Sequence, residues 1–193
     1  MDPAVRVPEA LLRHPAVEKV ELVGSRVEGA FLPLSDWDFL VETGDFEAVA
    51  AALPELVEPL NPLARQWDPL AEHPCYMLML AGAIKVDLIF DRPSEHAPPW
   101  VPTAETLPRI DAHFWDWVLW LGAKRAAGKH DLLDSELTKL SVHILAPLGV
   151  EARPVSLEEA VSLYNAALRA AEKRLGLRVS PRLATEVQIR LGL

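Results

Sequence analysis

Residues 23–39 decide the fold of the first half of this chain, and they read Val23-Gly24-Ser25-Arg26-Val27-Glu28-Gly29-Ala30-Phe31-Leu32-Pro33-Leu34-Ser35-Asp36-Trp37-Asp38-Phe39. Residues 19–23, Lys-Val-Glu-Leu-Val, predict a strand, and the apolar content of residues 37–41 predicts a second, buried strand. Gly24-Ser25 then marks the end of the first strand, and Asp36 marks the approach to the second. The polar groups of the stretch therefore fall at two strand ends.

Two carboxylates, Asp36 and Asp38, lie where the second strand begins. Side chains two positions apart in a strand point to the same face, so both carboxylates should share one face, about 7 Å apart at the backbone. Neighbouring carboxylates repel each other unless a cation lies between them, and Mg²⁺ prefers such hard oxygen ligands. Taken singly, Asp36 could instead cap a turn, and Asp38 could be a solvated strand residue.

A third carboxylate, Asp87, interrupts the apolar segment Ile84-Lys85-Val86-Asp87-Leu88-Ile89-Phe90. A charged group in such a strand is costly unless it is paired or bound to a metal. Three carboxylates on neighbouring strands could hold two divalent ions about 4 Å apart, the arrangement used for in-line phosphoryl displacement. We therefore predict that Asp36, Asp38 and Asp87 are metal ligands.

The Gly24-Ser25 pair predicts an anion-binding turn. A strand that ends in Gly-Ser before a short helix presents backbone N–H groups and a hydroxyl to a phosphate, and Gly24 lets the backbone approach it closely. Arg26 either supports this turn or adds a positive charge beside it. The element is not a P-loop, because no Gly-Lys-Ser/Thr follows. Gly24, Ser25 and Arg26 are therefore the candidate phosphate-binding residues of this region.

The remaining pattern predicts an α+β chain in which a mixed-sheet unit is followed by a helical bundle. We expect a catalytic domain at residues 1–92, a Pro-rich linker at 93–110 and a helical domain at 111–193. The predicted elements of the first domain are helices at 8–13 and 45–53, strands at 19–23 and 37–41, and a hairpin at 76–81 and 83–90 that turns at Gly82. The predicted helices of the second domain are 111–127, 132–148, 156–175 and 181–191. Asp45 and Ser156 are the expected N-caps of the helices that begin at these residues, and Ser156 forms a capping box with Glu159.

Composition and charge narrow the classes of function. The chain has 193 residues with 19 basic and 28 acidic side chains, a formal net charge of −9. This balance argues against a nucleic-acid partner, because phosphate binding depends on Lys and Arg. One cysteine excludes an internal disulfide and a thiolate metal site. No segment of the sequence predicts a membrane span or a targeting signal, so we expect a cytoplasmic protein.

The ordered motifs Gly24-Ser25-Arg26-x-x-Gly29, Ser35-Asp36-x-Asp38 and Asp87 resemble the nucleotidyltransferase superfamily that includes DNA polymerase β. The resemblance covers about residues 18 to 90, and it is closest to the small bacterial aminoglycoside nucleotidyltransferases and minimal nucleotidyltransferases. It implies that the three aspartates are catalytic residues that bind Mg²⁺, with two ions expected. It also implies that Gly24 and Ser25 hold a nucleoside triphosphate, with ATP as the expected co-substrate, and it makes Arg26 a further nucleotide-binding candidate. A substrate hydroxyl would attack the α-phosphorus and release pyrophosphate, and Asp87 could accept its proton.

The helical half carries a second resemblance. Phe114-Trp115-x-x-Val118 and the Lys124 that follows are similar to a helix of streptomycin-type adenylyltransferases, which makes Lys124 a nucleotide-binding candidate. Trp115, Trp117 and Trp120 are either core residues or stacking groups, and we favour the core. Glu136 is either a general base or, as we favour, a solvated helix residue. An apolar helical unit of this size is also compatible with a homodimer.

Two functions compete at this point. The favoured one is a Mg²⁺-dependent enzyme that transfers a nucleoside monophosphate, expected to be AMP, to a hydroxyl of a small acceptor such as an aminoglycoside-like compound. An acidic chain attracts a cationic acceptor. The alternative is a toxin–antitoxin component of the minimal nucleotidyltransferase type that binds or modifies a partner protein. The sequence identifies neither the acceptor nor the nucleotide.

Overall fold

The chain divides into two compact units, Met1–Ala97 and Pro98–Leu193. The computed structural model describes residues 2–29, 31–94 and 100–193. The first unit combines helices with a five-stranded sheet, and the described part of the second unit is helical, which confirms the predicted α+β class. Pro98-Pro99, the centre of the predicted linker, lies outside the described residues.

One mixed sheet organises the first unit, with its strands in the order β1-β2-β5-β4-β3. β2 and β5 run parallel, while the other neighbouring pairs are antiparallel. The strands are β1 Val17–Val23, β2 Trp37–Thr43, β3 Ala64–Trp67, β4 Cys75–Leu80 and β5 Ile84–Ile89. The predicted hairpin is confirmed, and its short connection contains Gly82 and Ala83, both with positive φ (83° and 52°). Our sequence reasoning missed β3, which has only four residues.

Two helices, α1 Pro3–Leu11 and α2 Phe46–Leu56, belong to this unit. Asp45 caps α2 as expected, since its side chain accepts a hydrogen bond from the Ala48 N–H (3.0 Å). The prediction of a helix over residues 8–13 placed its start too late. The helix begins after Asp2, whose side chain accepts from the Ala4 N–H (3.0 Å), so Pro8 lies inside the helix.

The two faces of the sheet have different chemistry. Phe39, Leu88 and Tyr76 are aligned across β2, β5 and β4, and all three are buried in a cluster that includes apolar residues of α1 and α2. Because side chains alternate along a strand, Asp38 and Asp87 lie on the opposite face. The apolar core thus fixes the register that places both carboxylates on one surface.

Four long helices form the second unit: α3 Leu107–Ala126, α4 His130–Leu140, α5 Leu157–Leu175 and α6 Arg182–Leu191. The predicted helix over 132–148 is interrupted, because α4 ends at Leu140 and is followed by a π-helical turn, Ser141–Leu145, and a 3₁₀ turn, Ala146–Leu148. Ser156 caps α5 as the sequence predicts, with its Oγ accepting from the Glu159 N–H (3.1 Å).

Aromatic packing holds the centre of the second unit. The fully buried rings of Phe114 and Tyr164 stack with centroids 3.6 Å apart, and Trp115 packs edge-on against both. Buried aromatic side chains of this size contribute much of a core's hydrophobic stabilisation. In the part of the chain that the structure describes, no helix has the length and apolarity required to cross a bilayer.

Candidate functional site

The structure brings Asp36, Asp38 and Asp87 together. Asp36 immediately precedes β2, and Asp38 lies directly opposite Asp87 in the parallel β2–β5 pair. Each residue offers a carboxylate oxygen, and the three oxygens lie within 4.8 Å of one another. The cluster is half-buried. A local motif and a distant strand therefore supply one acidic surface.

This donor set fits a divalent cation. Mg²⁺ binds oxygen at about 2.1 Å, so two ligands on opposite sides of one ion lie about 4.2 Å apart. Oxygens no more than 4.8 Å apart can reach that separation with a small side-chain rotation, or they can be divided between two ions. The repulsion among three carboxylates favours a cation between them.

Gly24 lies against the site, because β1 pairs with β2 and its last residue, Val23, is the partner of Asp38. Gly24 follows with φ of 72°, and a Cβ atom at this position would lie 2.7 Å from Asp38 Oδ2. Glycine is thus required both for the backbone conformation and for the close approach of the carboxylate. Gly24 opens the 3₁₀ turn Gly24–Arg26, in which Ser25 is half-buried.

Arg26 supports the turn that leads into β2. Its Nε donates to the carbonyl of Asp36 (2.8 Å), and its Nη2 donates to the carbonyl of Ser35 (2.5 Å). The guanidinium carbon lies 3.8 Å from the ring centroid of Trp37. Partial burial lowers the pKa of this guanidinium, while the charges of Asp36 and Asp38 act in the opposite direction. Arg26 could either support the turn or add a positive charge beside it, and these contacts favour support of the turn. Nucleotide binding by Arg26 stays a prediction.

Lys85 is a site residue that our sequence reasoning did not single out. Its Nζ lies 2.8 Å from Asp87 Oδ1, and the two side chains are only 7% and 13% exposed. Both residues lie on β5 two positions apart, so the period of the strand would have placed them on one face. The charge of Asp87 is therefore paired within the protein. Arg26 is a second cation near the cluster, because the charges of Asp36 and Asp38 act on it.

The candidates of the helical unit lie on α3 and α4. Lys124 is in the last turn of α3, with its Nζ 4.9 Å from the ring centroid of Trp120. Its assignment to nucleotide binding stays a prediction. Trp115 and Trp117 are buried, as favoured.

Glu136 corrects an expectation, because we took it for a solvated residue and it is 92% buried, with 8% of its surface exposed. Its Oε2 accepts from the Trp117 Nε1 (3.2 Å) and its Oε1 from the Lys139 Nζ (2.7 Å). The helical pattern of α4 did not reveal this burial because it depends on a partner in α3.

A protein-family model matches part of the first unit. Residues 6–68 match the family described as a nucleotidyltransferase domain, which confirms the relationship to the nucleotidyltransferase superfamily. This span contains β1, the Gly24–Arg26 turn, β2, α2 and β3, and with them Asp36 and Asp38. Asp87 lies beyond the match, and only the geometry of the sheet connects it with the other two.

Two solved structures are similar over most of this chain. The polymerase core of TRAMP, an RNA surveillance complex, is 14% identical, with a TM-score of 0.37 over 96% of this chain and 53% of its own. An aminoglycoside 6-adenyltransferase from Bacillus subtilis is 11% identical, with a TM-score of 0.33 over 97% of both chains. The chain thus spans about half the length of the first of these structures. Likenesses this weak define neither substrate nor partner, and no curated protein matches the sequence.

Proposed function

We propose that this protein transfers a nucleoside monophosphate, taken to be AMP from ATP, to a hydroxyl group of a small acceptor. The observation that carries the proposal is the convergence of Asp36, Asp38 and Asp87 within 4.8 Å of one another. This cluster lies beside Gly24 in a unit whose residues 6–68 match a nucleotidyltransferase domain.

Asp36, Asp38 and Asp87 would hold the divalent metal, and Gly24 with Ser25 would approach the triphosphate. Bound Mg²⁺ would neutralise the charge of the triphosphate and of the leaving pyrophosphate. In the reaction, the acceptor oxygen forms a bond to the α-phosphorus as the bond from that phosphorus to pyrophosphate breaks. The acceptor loses one proton, and Asp87 is the group we assign to receive it.

Asp87 is preferred to Glu136 as the general base because of their surroundings. Asp87 belongs to the carboxylate cluster, where the reacting phosphorus would lie. Both oxygens of Glu136 already accept hydrogen bonds, from Trp117 and Lys139. Asp87 is also paired, through its Oδ1 with Lys85, so its place in the carboxylate cluster is what supports the preference.

The acceptor is proposed to be a small cationic molecule of aminoglycoside type. The net charge of −9 would attract such a molecule over a distance of about the Debye length. The test mixes the full chain with Mg²⁺, each of the four nucleotides labelled at the α-phosphate, and a panel of aminoglycosides. Transfer of label together with pyrophosphate release supports the proposal. Failure across the panel would exclude the aminoglycoside acceptor, and a helical partner that co-purifies stoichiometrically would favour the toxin–antitoxin alternative.

Loss of one metal ligand should abolish this transfer. Asp38→Asn removes a negatively charged ligand of the metal. If this costs about 4 kcal/mol of transition-state stabilisation, the rate of transfer falls about a thousandfold. Glu136→Gln is the matched substitution in the second unit, where we expect a much smaller effect on turnover. If Glu136→Gln abolishes transfer while Asp38→Asn retains it, the assignment of the site is wrong.

A further inference from the structure

The helical unit contains a cavity that the proposed nucleotidyl transfer does not use. It has a volume of about 430 Å³ and is lined by residues of α3, α5, α6 and the segment between α5 and α6. This size is at the lower end of the range of small-molecule sites. Two carboxylates line it, Asp111 and Glu172, and both are more than 90% buried.

The two carboxylates have different hydrogen-bond partners. Both oxygens of Glu172 have partners within the protein. Its Oε1 accepts from the Val179 N–H (2.7 Å), and its Oε2 lies 3.5 Å from Arg178 Nη1. These contacts hold the segment after α5 against the helix. Glu172 therefore shapes the wall of the cavity and has little capacity left for a ligand.

Both side-chain hydrogen bonds of Asp111 end on the same carboxylate oxygen. Tyr164 donates from its hydroxyl (2.8 Å) and Trp115 donates from its Nε1 (3.1 Å), and both hydrogen bonds end on Oδ1. Among the residues that the structure describes, none donates a hydrogen bond to Oδ2. Burial raises the pKa of Asp111 to about 6, against the two hydrogen bonds that lower it, so the carboxylate is charged at pH 7.5. A buried anion with one uncommitted oxygen is costly without a cationic partner.

We propose that this cavity binds a small organic molecule through a primary ammonium group that donates to Asp111 Oδ2. An ammonium group brings a positive charge and three donors, and a charge-assisted hydrogen bond to a buried carboxylate is strong. Asn165 and Gln188 line the same cavity and offer polar contacts for the rest of the molecule. This site is independent of nucleotide transfer, because it needs neither the metal nor the first unit's aspartates.

The charges around Asp111 predict the pH dependence of binding. Tyr164 and Glu172, both on α5, face Asp111. The cavity is also lined by two cations, Arg169 on α5 and Arg178 in the segment after α5. Burial and the Asp111 charge raise the pKa of Tyr164, so its hydroxyl stays a donor. As pH falls from 7.5 to 5, Asp111 takes up its proton and the affinity for an amine should fall about tenfold.

Isothermal titration of the full chain without nucleotide or metal tests the site. The probe is butane-1,4-diamine, and butane-1,4-diol and succinate are its neutral and anionic counterparts. We expect saturable binding of the diamine below about 10 mM and none of the other two. Asp111→Asn should weaken diamine binding at least tenfold, because it removes the charge while an amide oxygen can still accept from Tyr164 and Trp115.

Two further variants keep the test decisive. Ala184→Leu fills the cavity from α6 without a change of charge and should also weaken binding at least tenfold, whereas Asp134→Asn makes the same charge change on an exposed residue of α4 and should have no effect. Thermal melts establish that each variant is folded. Absence of diamine binding, binding of succinate in its place, or unchanged diamine affinity in folded Asp111→Asn or Ala184→Leu would overturn the proposal.

Discussion

Gly24 has a positive φ and also lies against the Asp38 carboxylate, and substitutions can separate the effects of these two features. Gly24 and Gly29 have the same φ of 72°. A Cβ atom added at Gly24 would lie 2.7 Å from Asp38 Oδ2, whereas one added at Gly29 would have no neighbour within 4 Å among the described residues. Each change to alanine should therefore lower the free energy of unfolding by about 1 kcal/mol from backbone strain. Only Gly24→Ala should displace the Asp38 carboxylate.

The measurement that separates the two effects is a Mn²⁺ titration alongside urea unfolding. We expect Gly24→Ala to weaken Mn²⁺ binding at least tenfold and Gly29→Ala to leave it unchanged, because only the former should displace Asp38, a proposed metal ligand. Equal metal affinities in the two variants would show that the contact between Gly24 and Asp38 is irrelevant to the site.

Asp111 should make the folded protein more stable as pH falls, the opposite of what most carboxylates do. Its pKa is raised from 3.8 to about 6, chiefly by burial, so the folded state binds the proton more tightly than the unfolded state. The resulting penalty is fully present above pH 6 and is relieved as pH falls from 6 towards 3.8. Between pH 7.5 and pH 4.5 the relief is about 2 kcal/mol.

Asp111→Asn removes this penalty, so its free energy of unfolding relative to the wild type should fall by about 2 kcal/mol between pH 7.5 and pH 4.5. Urea unfolding at the two pH values measures it, with exposed Asp134→Asn as the control that should show no such change. A difference between Asp111→Asn and wild type that stays constant with pH would contradict the assigned titration.

Helices α3 and α6 approach each other at Gly122. A Cβ atom there would lie 2.9 Å from Leu191 Cδ1 and closer still to Cδ2. Gly122→Ala should destabilise the second unit by about 1–3 kcal/mol through overpacking, in spite of the better helix propensity of alanine.

A double-mutant cycle with Leu191→Ala checks this packing. Since Leu191→Ala removes the atoms that a new Cβ would meet, the cost of Gly122→Ala should be smaller in that background. Chemical denaturation of the four proteins gives the coupling. Additive effects of the two substitutions would contradict close packing of α3 on α6 at this point.

Elements with a strong local signal could be predicted from the sequence, and those that depend on distant partners could not. The caps at Asp45 and Ser156 and the hairpin through Gly82 were predicted from short-range rules. The strand β3 was missed, because four residues between turns carry little alternation, and its pairing with β4 stabilises it. The start of α1 was predicted too late, at Pro8, whereas Asp2 caps the helix and Pro8 lies inside it.

The same division applies to the candidate site. Asp36 and Asp38 form a local motif, and the alternation of β5 places Asp87 on one face, but only the parallel pairing of β2 with β5 sets Asp38 opposite Asp87. The pairing of Lys85 with Asp87 follows from strand periodicity and was within reach. The burial of Glu136 and the cavity at Asp111 arise from contacts between helices distant in sequence.

The charge of the whole molecule predicts its behaviour towards nucleic acid. With 28 acidic and 19 basic residues, the chain has few cations to displace counterions from a phosphate backbone. Fluorescence anisotropy with labelled single-stranded RNA and duplex DNA at about 50 mM salt should show no binding in the micromolar range. Tight binding that weakens steeply with salt would contradict a small-molecule acceptor.

The proposed function requires the aspartate cluster of the first unit to hold a divalent metal together with a nucleotide. Electron paramagnetic resonance of Mn²⁺ with a non-hydrolysable ATP analogue tests it without knowledge of the acceptor. Asp38→Asn is the cleanest variant, because Asp87→Asn also leaves buried Lys85 without its carboxylate partner and should cost about 1–3 kcal/mol of stability. Glu42→Gln, an exposed charge farther along β2, is the matched control.

We predict that the wild-type chain and Glu42→Gln bind Mn²⁺ more tightly when the analogue is present. Asp38→Asn should stay folded in thermal melts and bind Mn²⁺ at least tenfold more weakly, because it has lost a ligand. Wild-type Mn²⁺ affinity in folded Asp38→Asn, with and without the analogue, would contradict the metal site and with it the proposed nucleotidyl transfer.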